Sequence, residues 1–281
     1  MIEYIILAIL QGLFEWFPIS SSGQVMIVAM IVFGIPADEA YSLSIFLHLG
    51  TMFAVLLKFR KEFLNIFKSF TKYEYEGKSA DIKRRNWVVL GTIGTAITAL
   101  PLYFIFKALI IGEFTALQGD LITLIITGLL ILTGTILLLT KRMFGINTVD
   151  DVSNKEVMKD GFLAGLIQGL AVLPGISRSG ITTSAILFEK YEQNNALKLS
   201  FMMSVPAIIG SIFVDIIFAK GSVFAFLDVF TIILITLISF LVGYVAMELL
   251  LQIAKKVGFN YFCIIYGIIA FAVIIPVLIL T

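Results

Sequence analysis

The chain has 281 residues, of which 59% are hydrophobic and 14% are charged, and its formal net charge is +1. Because a soluble domain carries about 25% charged residues, this composition excludes an ordinary soluble globular protein. The single cysteine excludes an internal disulfide and a thiolate metal cluster, while the near-zero net charge argues neither for nor against a charged partner.

Six apolar segments are each long enough to cross about 30 Å of hydrocarbon. They cover roughly residues 41–58, 87–107, 119–140, 199–218, 229–250 and 261–280. We therefore predict an all-α polytopic membrane protein that forms a single integral membrane domain over residues 1–281.

Two further apolar regions are interrupted by polar sequence. Residues 2–17 run into PISSSG and then about eleven apolar residues, and residues 161–173 run into PGISRSG and then about eight. Irregular backbone at membrane depth is tolerated only where protein or a wet cavity covers it. We predict that each region is a re-entrant helical hairpin. The alternative is that one arm spans fully and the break is a surface loop.

The two interruptions are copies of each other. Residues 11–23 (QGLFEWFPISSSG) and 168–180 (QGLAVLPGISRSG) match at seven of thirteen positions without a gap. Each copy is followed by three predicted spans, so the second must enter from the opposite face. This predicts two inverted-topology repeats, about 1–140 and about 161–281, with the functional site near the midplane where the broken helices meet.

The positions of Lys and Arg predict the orientation. The basic loops hold seventeen of these residues, whereas the opposite loops hold only Lys107 and Lys220. The basic loops should therefore be cytoplasmic, with both termini outside. The first hairpin then enters from the outside and the second from the cytoplasm.

Small residues recur before the second break. Gly161, Gly165 and Gly169 have the spacing that allows two helices to approach closely. We therefore expect a close helix contact around the second hairpin.

The polar residues of both breaks favour an anion site. A helix N-terminus attracts negative charge through its free N–H groups and its dipole. Serines, glycines and a threonine lead into the two helices that follow the breaks: Ser20, Ser21, Ser22 and Gly23 in the first, and Ser177, Ser179, Gly180 and Thr182 in the second. If the breaks meet, both N-termini face one cavity.

Two charged residues lie at the predicted membrane depth. Such charges are expensive and usually functional, and the rigid donor fork of Arg178 suits phosphate. Glu15 could act as a general base or bind a cation, with a serine as nucleophile, and Gln11 lies four residues earlier on the same helical face. The structural alternative is that Arg178 and Glu15 simply pair and hold the hairpins together.

These motifs resemble those of the undecaprenyl-diphosphatase (bacitracin-resistance protein) family of integral membrane phosphatases. Gln11 and Glu15 match the family's first motif, and Pro18 to Gly23 match its P-[IV]-S-S-[ST]-G stretch. Pro174 to Thr182 complete its P-G-x-S-R-S-x-x-T motif. The resemblance extends over essentially the whole chain.

The resemblance implies a multi-pass protein of the cell membrane that removes one phosphate from a polyprenyl diphosphate at the outer face, recycling the glycan carrier lipid. It implies that Ser21 is the nucleophile, Glu15 the essential glutamate and Arg178 the phosphate clamp. Mg²⁺ or Ca²⁺ is expected as cofactor, with Glu15 as a metal ligand. The expected phosphate-binding and supporting residues are Ser20, Ser22, Gly23, Gly175, Ser177, Ser179 and Thr182, with Gln11 and Gln24. No nucleic-acid partner is expected, and a homodimer is left open.

The chain departs from the family at one position. The family usually has a histidine directly after the first-motif glycine, as a candidate proton shuttle, and here Gln24 stands there. An amide does not titrate near neutral pH, so the proton moves through Glu15 or water, or hydrolysis is slow or absent. The only histidine, His48, either packs near the outer interface or replaces the missing acid/base.

Two other functions remain open. Inverted repeats around a midplane site are typical of transporters, so a polyprenyl-phosphate translocase or a carrier of a soluble anion would use the same residues. A structural membrane subunit without a ligand would leave Arg178 unexplained.

Overall fold

The computed structural model describes residues 1–71, 79–110, 125–126, 128–129, 131–132, 135–136, 145–218 and 222–256. Within these ranges the regular structure is helical, and a single isolated bridge between Asn147 and Tyr191 is the only β-type pairing. Most of the predicted span 119–140 and all of the predicted span 261–280 lie outside the described residues.

The bounds of ten α-helices lie in the described chain, apart from the short helical pieces at 125–126, 128–129, 131–132 and 135–136. They are α1 (Ile2–Phe14), α2 (Ser21–Ile27), α3 (Ala37–Lys58), α4 (Arg60–Thr71), α5 (Ser79–Ile110), α6 (Asn154–Gly169), α7 (Arg178–Phe188), α8 (Gln193–Phe218), α9 (Val223–Phe226) and α10 (Val229–Lys256). A π-helical turn, Val28–Val32, extends α2, and a 3-10 turn, Leu170–Val172, follows α6.

Four of these helices, α3, α5, α8 and α10, are long and apolar enough to cross a membrane. They confirm a polytopic helical membrane protein and overlap four of the predicted spans. The first three begin before the predicted spans, because their first turns are polar (ADEA, SADIKRRN and QNNALK). Hydrophobicity marks only the part of a helix that lies in hydrocarbon, whereas the helix itself starts in the interface.

The helices of the interrupted regions are shorter. α1 has 13 residues and α7 has 11, which correspond to about 20 Å and about 17 Å at 1.5 Å per residue. Neither length covers about 30 Å of hydrocarbon. The lengths therefore fit the re-entrant interpretation better than a full span, while the inverted relation of the repeats stays a prediction.

The breaks have a local physical cause. Ser20 adopts a left-handed backbone conformation (φ 56°), and its Oγ accepts from the amide of Gly23 at 3.4 Å, which caps α2. Ser177 caps α7 in the same way, with its Oγ accepting from the amide of Gly180 at 3.1 Å. Gly175 has φ +105°, a conformation that side chains other than glycine rarely adopt. Each helix therefore starts at a serine cap after an irregular turn.

The close helix contact expected from the glycine spacing is confirmed between α5 and α6. A Cβ atom added to Gly165 would lie 2.1 Å from the carbonyl oxygen of Gly91, and one added to Gly94 would lie 2.4 Å from the carbonyl oxygen of Phe162. The two backbones therefore touch, with no space for side chains at these glycines. The contact fixes the position of α6, the helix that leads into the second break.

Helix α3 lies at the centre of the fold. Its apolar 18-residue window is 72% buried, against 28% for α5 and 28% for α10. The outer helices present large apolar side chains such as Phe213 and Val229, which are 62% and 72% exposed. Since α3 is surrounded by protein, its polar side chains face neighbouring helices rather than lipid.

Candidate active site

The two breaks meet in the structure. The amide of Gly175 donates to Ser20 Oγ at 3.0 Å, and Ser179 Oγ donates to the carbonyl of Phe17 at 3.3 Å. A Cβ added to Gly23 would lie 2.9 Å from the Gly175 nitrogen, so the backbones are in direct contact. The glycines at both breaks thus allow two polar turns to pack against each other.

Glu15 is the centre of the polar network at this junction. The side chain is 2% exposed, and its Oε2 accepts from Gln11 Nε2 and from Ser21 Oγ, both at 2.7 Å. Its Oε1 accepts from Arg178 Nη2, and His48 Nε2 lies 3.2 Å from Oε2. Because a buried carboxylate is stable only when it is paired and hydrogen-bonded, these neighbours explain how Glu15 remains inside the protein.

Arg178 has donor capacity that this network does not use. Nη2 bonds to Glu15, while Nη1 is buried and has no hydrogen-bond partner among the described residues. The guanidinium carbon lies 5.9 Å from the centre of the Trp16 ring. Since buried polar groups are nearly always paired, a guanidinium nitrogen left over beside a polar cavity fits an anionic ligand.

A cavity of about 110 Å³ opens between the breaks and the central helices. This is several times the space that one buried water needs. The predicted site residues that line it are Glu15, Ser20, Ser21, Ser22, Ser177 and Arg178. Both repeats therefore contribute side chains to a single polar cavity.

The remaining predicted site residues do not line the cavity. Gly23 and Gly175 form the contact between the breaks, and Ser179 bonds across it to Phe17. The Thr182 hydroxyl is buried and has no hydrogen-bond partner in the described part of the chain. Gly23, Gly175 and Ser179 therefore hold the two turns together behind the cavity surface.

Gln24 was predicted to support the site but lies away from the cavity surface. Its side chain is buried, and its Nε2 has no hydrogen-bond partner among the described residues. Gln11, in contrast, supports Glu15 directly through the 2.7 Å bond. Gln11 and Glu15 are thus directly bonded, whereas Gln24 makes no bond to either of them.

Sequence reasoning did not identify the other polar residues that line the cavity. They are Tyr41, Ser44, Thr95, Gln168, Ser204 and Ser211. One signal was available, because Gln168 is the repeat counterpart of Gln11. Its Nε2 donates to Thr95 Oγ1 at 3.0 Å. The serines of the spans carry no such signal, because isolated serines are common in membrane helices.

The residues around the cavity fit a protein-held divalent cation poorly. Glu15 is the only carboxylate in the lining, and no cluster of three or more His, Cys, Asp or Glu residues occurs among the described residues. Mg²⁺ and Ca²⁺ require several oxygen ligands, and both oxygens of Glu15 already accept hydrogen bonds. An ion at this place would need most of its ligands from a bound phosphate.

Comparison with known proteins agrees with the geometry. Residues 4–273 match the protein family described as "Bacitracin resistance protein BacA". Three similar proteins, each named undecaprenyl-diphosphatase, come from Methanothrix thermoacetophila (36% identity over 96% of both chains), Methanococcoides burtonii (36% over 95% of this chain and 96% of the relative) and Sulfurisphaera tokodaii (30% over 99% and 98%). The chain therefore belongs to the bacitracin resistance protein BacA family.

Proposed function

We propose that this protein is a membrane phosphatase that converts undecaprenyl diphosphate, or a similar polyprenyl diphosphate, to the monophosphate and inorganic phosphate. The observation that carries the proposal is the junction of Glu15, Ser21 and Arg178 at one cavity. The names of the similar proteins support the same reaction. Release of the monophosphate would recycle the lipid that carries glycan precursors.

Arg178 is placed to bind the diphosphate. Its Nη1 is a buried donor without a partner among the described residues, and its planar fork suits phosphate oxygens. The hydroxyl-bearing residues Ser20, Ser22 and Ser177 line the same cavity. Since phosphoryl transfer depends mainly on positioning and charge neutralisation, this set provides the two contributions that the reaction needs most.

Ser21 is placed to act as the nucleophile. Its Oγ donates to Glu15 Oε2 at 2.7 Å, so the carboxylate can accept the proton as Oγ attacks the terminal phosphorus. The bridging P–O bond breaks and the polyprenyl monophosphate leaves. Water then cleaves the Ser21–phosphate bond: one of its hydrogens restores the hydroxyl, the other leaves with the inorganic phosphate, and the proton on Glu15 passes to solvent. If Ser21 instead orients an attacking water, the products are the same and no phosphoserine forms.

A cation would enter this site together with the substrate. The diphosphate brings several oxygens that Mg²⁺ or Ca²⁺ can bind, whereas Glu15 is occupied by its donors. Such an ion would neutralise phosphate charge. The steps assigned to Ser21, Glu15 and Arg178 do not depend on its position.

We place the cavity opening toward the outer face of the membrane and the basic loops in the cytoplasm. The excess of Lys and Arg in those loops supports this orientation. The re-entrant lengths of α1 and α7 and the meeting of the two breaks support an inverted pair of repeats.

The test is phosphate release from a polyprenyl diphosphate by the purified protein in detergent, with Mg²⁺ and Ca²⁺ assayed separately. The wild type should release phosphate, and Arg178→Ala should be slower by about 10²-fold or more, as for loss of a preorganised charge stabiliser. Arg60→Ala is the matched control, because Arg60 is exposed at the start of α4 and away from the cavity. No release with either cation, or an unchanged rate in Arg178→Ala, would contradict the proposal.

A translocase of polyprenyl phosphate is the second candidate. It is favoured by the position of the cavity between two short hairpins, which suits alternating access. Movement of labelled polyprenyl phosphate across liposomes without phosphate release would favour it over hydrolysis.

A further inference from the structure

The only histidine of the chain points at the centre of the site. His48 lies in α3, lines the cavity and has a side chain that is 17% exposed. Its Nε2 lies 3.2 Å from Oε2 of Glu15, and its Nδ1 lies 2.7 Å from the carbonyl oxygen of Ser44. Both ring nitrogens are therefore held by specific neighbours, which fixes the plane and the direction of the imidazole.

These two contacts define where the protons of the ring are. The carbonyl oxygen of Ser44 can only accept, so Nδ1 carries a hydrogen and donates it. Nε2 then faces a carboxylate oxygen, and that contact is a hydrogen bond only when one proton lies between the two atoms. In the reactive form no proton lies between the two atoms, and the contact becomes an ionic hydrogen bond when Nε2 receives the proton.

The same oxygen of Glu15 also accepts from Ser21. Oε2 receives the Ser21 hydroxyl at 2.7 Å and faces His48 Nε2 at 3.2 Å. Ser21, Glu15 and His48 thus form a continuous path along which a proton can travel. A carboxylate is ordinarily a much weaker base than an imidazole, so a proton taken from Ser21 is held more favourably when it continues to Nε2.

We propose that His48 is the proton acceptor of the site, working through Glu15, and this assignment rests on the proposed phosphatase function. In the first half-reaction the proton of Ser21 passes to Glu15 Oε2 and on to Nε2, while the Ser21 oxygen bonds to phosphorus and the monophosphate leaves. In the second half-reaction one hydrogen of the attacking water restores the Ser21 hydroxyl and the other leaves with the phosphate. The proton on Nε2 then passes to solvent.

The assignment explains how the chain can work with glutamine after the motif glycine. Gln24 cannot titrate and does not line the cavity, whereas His48 reaches Glu15 from a different helix. The charged and titratable groups that face His48 across the cavity are Glu15, Arg178 and Tyr41.

The first experiment compares the pH dependence of phosphate release in wild type and His48→Gln. Glutamine keeps a polar side chain of similar reach but cannot accept the proton. We expect a loss of about 10²-fold in kcat, in the range of general acid–base catalysis, with KM changed less than threefold. The pH profile of phosphate release should differ between wild type and His48→Gln, because the variant lacks the group that accepts the proton.

The outcomes separate the two proposals. If the wild type releases phosphate while His48→Gln keeps its rate and its pH profile, the His48 assignment is overturned and the phosphatase stands. If the wild type releases none, the proposed function itself fails. A pH dependence that is identical in wild type and His48→Gln belongs to the phosphate group of the substrate, which titrates near pH 6, and this result counts against His48.

A second measurement does not depend on activity or on a His48 variant. Because the chain has one histidine, ¹⁵N-histidine labelling of a protein purified without a histidine tag gives one imidazole. The Nε2 resonance should differ between wild type and Glu15→Gln, while Nδ1, which bonds to Ser44, should change little. An Nε2 resonance that is identical in both proteins from pH 5 to 8 would overturn the proposal. The control is Glu248→Gln, whose carboxylate pairs with Lys58 outside the cavity.

Discussion

The amide nitrogen of Gly175 donates to the side-chain oxygen of Ser20 at 3.0 Å, although the two residues are 155 positions apart in the chain. Each residue belongs to the irregular turn of one of the two breaks. The bond therefore joins the corresponding turns of the two sequence copies beside the cavity that Ser20 lines. It turns two polar interruptions into a single site.

Removal of the Ser20 hydroxyl should weaken this junction. Ser20→Ala loses the bond from Gly175 and the cap on the Gly23 amide, and we expect stability to fall by about 1–2 kcal/mol. Ser20→Gly should cost less, because glycine accepts the left-handed backbone of this residue (φ 56°) without strain. Thermal unfolding in detergent measures both. A smaller loss for alanine than for glycine would contradict this account.

The contact between α5 and α6 gives a second prediction. A Cβ on Gly165 would lie 2.1 Å from the backbone oxygen of Gly91, so Gly165→Ala must push the helices apart and should lower the melting temperature by several degrees. Gly210→Ala is the matched control, because nothing lies within 4 Å of the added atom. In a helix this substitution should be neutral or stabilising by up to about 1 kcal/mol. Equal effects of both variants would argue against close packing of α5 and α6.

The correct part of the site prediction came from the repeated motif. The match between residues 11–23 and 168–180 indicated that the breaks meet, and Arg178 and Glu15 do lie together. The geometry is compatible with both interpretations of that pair. The ion pair joins the two breaks, and Nη1 of Arg178 has no hydrogen-bond partner among the described residues and can bind an anion. The motif carries this information because two similar polar turns between apolar segments can satisfy their polar groups against each other.

The sequence pattern did not predict which residues of α3 face the site. This helix is buried on most sides, so its hydrophobic residues do not mark one inward face and periodicity does not show where His48 points. The same limit applies to Gln24, which the motif placed near the site. Gln24 follows Ser22 by two residues, or about 200° around a helix, and only Ser22 lines the cavity. The rotation of a helix is set by its neighbours, not by its own motif.

Neutralising the central carboxylate should stop the reaction. Glu15→Gln keeps the shape but weakens the acceptor of the Ser21 proton and removes the ionic partner of Arg178. We expect phosphate release to fall by about 10²-fold or more. Glu248→Gln is the control, since Glu248 pairs with Lys58 away from the cavity and should leave the rate within twofold. A Glu15→Gln protein that folds and keeps the wild-type rate would exclude Glu15 from the proton path.

Restoring the family histidine after the motif glycine should change little. Gln24→His places an imidazole at a buried position that does not line the cavity, while His48 already contacts Glu15. We expect phosphate release within about twofold of wild type, because a general base acts only within hydrogen-bond reach of the proton it removes. The informative comparison is the double variant Gln24→His with His48→Gln. If the new histidine cannot reach Glu15, the double variant should be as slow as His48→Gln alone. Full recovery of the rate would show that a histidine at position 24 reaches the reacting proton. The acid–base group could then lie in the first break instead of in α3.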